Sequence, residues 1–66
     1  MKINIGDLFL TGNGIIILLT KIEPNGLMHG YMSNEYDIPQ EIGFAWLFNV
    51  EEYINKNSWK HYPVRE

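Results

Sequence analysis

Apolar residues in this chain fall into short blocks set off by glycine, proline and asparagine, and inside the blocks a period of two dominates. Period two is the repeat of a strand whose side chains alternate between two faces. Two Asn-Gly steps, Asn13-Gly14 and Asn25-Gly26, stand twelve residues apart. Asn-Gly accepts the positive φ angles of a type I′ turn, so the pair frames a three-stranded meander over residues 7–11, 15–23 and 27–33. The middle block, Ile15 to Leu19, is unusual because it is apolar at every position. On a strand, Ile15, Ile17 and Leu19 share one face with Lys21 and Glu23, while Ile16 and Leu18 share the other with Thr20 and Ile22. Both faces therefore need cover. If the chain covers only one, the stripe Ile15, Ile17 and Leu19 becomes a candidate self-association surface.

The second half divides less cleanly. Residues 34–40 are polar, contain Pro39 and read as a loop. After them Ile42, Phe44, Trp46 and Phe48 recur at period two, which favours a strand. A helix is the alternative, since Asp37 and Gln40 have capping-box spacing and Ile42, Trp46, Val50 and Tyr53 would share one helical face. Gly43 and the density of aromatic residues weigh toward the strand. Asn49 ahead of Val50-Glu51-Glu52-Tyr53-Ile54 marks a capped helical turn, with acids where the helix dipole favours them. Ser58 to Tyr62 reads as a last strand, and Pro63 restricts its end to a sheet edge.

Length adds one constraint. Sixty-six residues make a single domain, 1–66, and a domain this small is marginally stable unless a disulfide, a metal or a partner supports it. With no cysteine, disulfides and thiolate metal sites are excluded. The lack of cysteine, of a leader and of a long apolar run points to a soluble cytoplasmic protein, without a membrane span. The net charge of −3 is uneven: residues 35–55 carry five acids and no base, and the bases gather near the C-terminus. That balance disfavours strong phosphate binding, which needs a basic face.

Three meander strands, a loop, a fourth strand, a helical turn and a short fifth strand give an all-β fold in the order of a five-stranded Src-homology-3-like barrel. Ile5-Gly6-Asp7-Leu8-Phe9 followed by Gly14-Ile15-Ile16 resembles the entry of small KOW-like and Tudor-like barrels. The ending Ser58-Trp59-Lys60-His61-Tyr62-Pro63-Val64 is similar to that of small uncharacterised tailed-phage proteins. The barrel resemblance implies a binding module for protein tails, peptides or nucleic acid. The phage resemblance implies an accessory protein without an assigned activity. The alternation of basic residues with valine that marks KOW segments is missing here.

Three sets of residues carry the functional expectations. Tyr36, Trp46 and Tyr62, flanked by acids, would form a groove for a basic or proline-containing peptide. Ile15, Ile17 and Leu19 would join two copies. Lys56, Trp59, Lys60, His61 and Arg65 interleave bases with rings, the mixture that holds single-stranded nucleic acid by stacking and charge, although so few charges predict weak, salt-sensitive binding. A protein partner or a second copy is thus expected first, and a weak nucleic-acid role is the alternative. No cofactor, metal or small-molecule substrate is indicated, and catalysis has little support. His29 and His61 lie in different strands without metal-ligand spacing. Glu51 and Glu52 point about 100° apart on a helix. Asp7, behind Gly6, is expected to bond turn amides.

Overall fold

A computed structural model describes residues 2–33 and 41–65. Five strands, β1 (Leu8–Leu10), β2 (Ile16–Ile22), β3 (Leu27–Met32), β4 (Glu41–Trp46) and β5 (Lys60–Tyr62), form one antiparallel sheet in the order β4-β3-β2-β1-β5. A 3₁₀ turn, Leu47–Asn49, and one helix, α1 (Val50–Lys56), connect β4 to β5. The protein is thus mostly β, an open five-stranded sheet with one short helix. The strand reading of residues 42–46 holds over its helical alternative.

Both hairpins form where the Asn-Gly steps stand, but with a different turn. Gly14 and Gly26 have φ of 88° and 91°, while Ser58 is the one non-glycine with positive φ among the described residues. A type I′ turn needs positive φ at the asparagine as well, so neither hairpin has one. Instead Gly14 donates to the Thr11 carbonyl at 3.1 Å and Gly26 to the Glu23 carbonyl at 2.8 Å. These bonds close type I turns whose fourth residue is a left-handed glycine bulge. Pro24 explains the choice at the second hairpin, because its fixed negative φ suits the first central position of a type I turn. At the first hairpin the Thr11 hydroxyl donates to Asn13 Oδ1 at 2.6 Å and accepts the Ile15 N–H at 3.0 Å.

Burial sorts the faces of the sheet. Phe9, Ile17, Leu19 and Met28 are completely buried and meet Ala45, Val50 and Ile54, so α1 covers this face. Two irregularities adjust the alternation. One shifts the β2–β3 register between Leu19 and Lys21, turning Ile22 back toward the core. The other shifts β3–β4 at Met28/His29, so Phe44 is the extra residue of a bulge between Gly43 and Ala45. The single period-two face expected for Ile42, Phe44, Trp46 and Phe48 is therefore broken. Phe44 packs on Phe9 with ring centroids 5.5 Å apart, whereas Phe48, in the 3₁₀ turn, is 81% exposed. Gly30 allows the strands to cross closely, since a Cβ there would lie 2.5 Å from the Leu18 carbonyl oxygen.

Helix α1 begins at Asn49 without the expected side-chain cap. It ends in a better-defined way: Ser58 has a φ of 59°, and the Trp59 N–H bonds back to the Ile54 carbonyl at 3.0 Å. This is the six-to-one bond of a Schellman ending, with serine in the left-handed position that glycine usually fills. The reversal points Trp59 inward, edge-on to Tyr53 at 5.0 Å and stacked on Phe44 at 6.4 Å.

Candidate functional site

The helix-covered face uses up the stripe proposed for self-association. Ile17 and Leu19 are completely buried and Ile15 is half-buried against them, so the expectation of an exposed Ile15, Ile17 and Leu19 is corrected. The opposite parity of the same strand carries the exposed surface. Leu8, Ile16, Leu18, Tyr31 and Tyr62 each keep between 40 and 50% of their surface in solvent. Their order follows from register: Tyr62 pairs with Leu8, Leu8 with Leu18, and Leu18 with Tyr31. Directly opposite residues on neighbouring strands have Cβ atoms about 5 Å apart, so these four side chains form one apolar row across four strands. Ile16 lies beside the row, opposite Leu10. Between them, Leu8, Leu10, Ile16 and Tyr62 border a shallow recess of about 270 Å³.

Charged side chains stand on both edge strands of this face. At the β4 end Glu41 pairs with Tyr31, and its carboxylate accepts a hydrogen bond from the Thr20 hydroxyl at 3.0 Å. On β5 Lys60 shares the outer face with Tyr62, because His61 between them points inward, but it pairs with Leu10 and so stands two residues out of the row. The face is thus apolar in its centre, acidic at one edge strand and basic at the other.

The peptide groove does not assemble as expected from the described residues. Tyr36 lies outside them, while Trp46 ends β4 and Tyr62 ends β5, the two edge strands, with three strands between them. Trp46 pairs instead with Phe48, centroids 6.2 Å apart, and Phe48 borders an open trough along α1 that includes Glu51 and Glu52.

The basic and aromatic residues of the C-terminal segment also separate in space. Lys56, Lys60 and Arg65 are exposed, but Trp59 faces the core, and the His61 ring stacks on Phe9 at 5.0 Å with its side chain 8% exposed. Alternation in sequence becomes opposition across the strand. The rings that would stack on bases are therefore occupied in packing.

His61 is instead part of a buried clasp. It donates from Nε2 to Asp7 Oδ2 at 2.7 Å; the N–H groups of Asn4 and Val64 donate to Oδ2 and Oδ1 at 3.0 and 2.9 Å. Burial of the carboxyl opposes ionisation, but the Val64, Asn4 and His61 hydrogen bonds outweigh it and hold Asp7 below the usual aspartate value. Val64 also packs over Gly6, where φ is 98°. A single carboxylate thereby ties the first strand's entry to the last strand and the tail. The Gly6-Asp7 step hinted at a turn, as found; its partners 54 and 57 residues away carried no sequence signal.

His29 stands apart from this cluster, with Nε2 3.0 Å from Glu23 Oε2 at an angle that makes no hydrogen bond. No group of three or more histidine, cysteine, aspartate or glutamate side chains among the described residues is arranged to hold a metal ion. No helix among them is long and apolar enough to cross a membrane. Comparison with protein-family models, curated proteins and solved structures finds no match to this chain.

Proposed function

We propose that this chain is a non-enzymatic binding module of Src-homology-3-like build that engages a protein through the outer face of its sheet. The observation that carries the reading is the row Tyr62, Leu8, Leu18 and Tyr31, flanked by Ile16, left uncovered by the only helix among the described residues. A sheet with two apolar faces normally buries both, one against its own helix and the other against a further layer. The exposed side chains amount to about 400 Å² of apolar surface, the size of patch that on a soluble domain is often functional. Aromatic residues at both ends of the row suit a protein interface, where tyrosine gives large contact at low entropic cost.

The order of elements, with a helical turn before a short last strand, supports the barrel-like build. The nucleic-acid alternative draws less support, because Trp59 and His61 turn inward and leave three dispersed bases.

A photo-crosslinking residue in place of Tyr31 or Tyr62, in the cells that naturally make the protein, tests the reading. The expected result is a discrete protein adduct from both positions and none from position 52 on α1. The adduct should disappear when Leu18→Lys is added in the same chain. Equal labelling from all three positions, or no adduct, overturns the proposal.

A further inference from the structure

We infer that the Asn13-Gly14 step at the tip of the β1–β2 hairpin is a site of spontaneous modification, where the asparagine converts to aspartate or isoaspartate ahead of the equivalent Asn25-Gly26 step. Water is the only co-reactant. The inference does not depend on what covers the outer sheet face.

The chemistry starts from the glycine. Its backbone nitrogen, on losing its proton to solvent base, attacks Cγ of the preceding asparagine; the N–Cγ bond forms, the Cγ–Nδ2 bond breaks and ammonia leaves. The cyclic imide then takes up water at one carbonyl to give aspartate or at the other to give isoaspartate. A side chain on the attacking residue hinders the approach, and glycine has none. Of the described asparagines, Asn4, Asn49, Asn55 and Asn57 precede isoleucine, valine, lysine and serine, and only Asn13 and Asn25 precede glycine.

The two Asn-Gly steps are alike in sequence and in the bonds that close their turns. Each glycine nitrogen is held as a donor, Gly14 to the Thr11 carbonyl at 3.1 Å and Gly26 to the Glu23 carbonyl at 2.8 Å, so neither can attack until its turn opens. Each asparagine Oδ1 is also engaged, by the Thr11 hydroxyl at 2.6 Å and by the Leu27 N–H at 3.0 Å. The difference lies on the far side of the glycine. The Gly26 carbonyl accepts the Leu47 N–H at 2.8 Å, which fastens the second turn to the end of β4. Gly14 has no such tie among the described residues. It is exposed, and a Cβ built there would meet nothing within 4 Å, whereas Gly26 is half-buried against Leu47. One further backbone hydrogen bond lowers the population of the open turn about fivefold, so Asn13 reacts first.

The aspartate product suits the hairpin. The Nδ2 that leaves makes no hydrogen bond among the described residues, and a carboxylate at position 13 still accepts the Thr11 hydroxyl, now as a charged acceptor. That form carries one more negative charge on a net charge of −3. Isoaspartate instead routes the backbone through the side chain and adds a methylene to the turn.

Incubation of the full chain in mildly alkaline buffer, with and without urea, followed by proteolysis and tandem mass spectrometry to place each new acid, tests the inference. In the folded chain Asn13 should convert first and Asn25 about fivefold more slowly. In urea both should convert faster and at similar rates. Hydrogen exchange of the folded chain should show the Gly14 amide opening more readily than the Gly26 amide. Asn13→Asp should keep the circular dichroism and urea midpoint of the wild type. Equal rates in the folded chain, or Asn25 ahead, overturn the inference. A gap of the same size in urea traces the order to Pro24 beside Asn25 and overturns the role of the Leu47 tie. An Asn13→Asp chain that unfolds more readily overturns the fit of the aspartate product.

Discussion

Removal of the Asp7 carboxylate should be among the most damaging single changes to this protein. Asp7 is completely buried and accepts three hydrogen bonds of 2.7 to 3.0 Å from Asn4, His61 and Val64. Hydrogen bonds to a charged group contribute about 1.5–3 kcal/mol each before coupling. They are not additive, so the three bonds to the carboxylate together contribute about 3–5 kcal/mol rather than their sum. Asp7→Ala leaves two partly buried N–H groups and one imidazole without an acceptor, so a loss of about 3–5 kcal/mol is expected. The core of a domain this size rarely supplies more than about 3–5 kcal/mol, so the variant should be largely unfolded at 25 °C. Asp7→Asn keeps the shape and one acceptor oxygen but loses the charge, and should cost about 2 kcal/mol.

Urea unfolding at fixed chain concentration, followed by tryptophan fluorescence and circular dichroism, measures both variants. Their pH dependence supplies a second check. Asp7 has a folded pKa below its unfolded value of about 3.9, so the unfolded chain binds the proton more readily. Its contribution is present in full above that unfolded value and is lost as pH falls through the folded one. The gap between wild type and Asp7→Asn should therefore be widest near neutral pH and narrow below about pH 4. A loss of less than about 1 kcal/mol for Asp7→Ala at pH 7 would refute the assignment of the carboxylate as the clasp between the ends of the chain.

The remaining expectations concern faces and backbone. Leu19→Ala should cost about 2–4 kcal/mol by leaving a cavity under α1, whereas Leu18→Ala should cost less than about 1 kcal/mol in the monomer; urea midpoints that rank the two the other way contradict the face assignment. Ser58→Gly should stabilise the fold by about 0.5–1 kcal/mol, because glycine occupies φ of 59° without penalty, and thermal melts will show it. Gly30→Ala should lose about 1–3 kcal/mol in the same assay, since the new methyl would press on the Leu18 carbonyl.

Much of the local structure was legible in the residues. Strand identity along β2 and β3 follows from β-branched content and alternation, and both hairpins lie at the Asn-Gly steps. Their turn type escaped, because Pro24 and the Thr11 side chain, outside the two-residue signal, select a type I turn with a glycine bulge. The bulge at Phe44 also escaped: one inserted residue shifts the register of β4 without altering its composition.

The sequence by itself determined that Ile17 and Leu19 share a face, that Ile16 and Leu18 share the other, and that both faces are apolar. Parity along a strand is a local property, set by the two-residue pleat. It is also symmetric, so nothing within the strand says which parity meets the core. Only the tertiary structure decided that, by seating Val50 and Ile54 over Ile17 and Leu19 and by locking β5 beside β1 through Asp7, His61 and Val64. Those contacts join residues more than 30 positions apart, where spacing in sequence carries no geometric information. The same choice set Lys60 and Glu41 on the two edge strands of the uncovered face and turned Trp59 and His61 away from it.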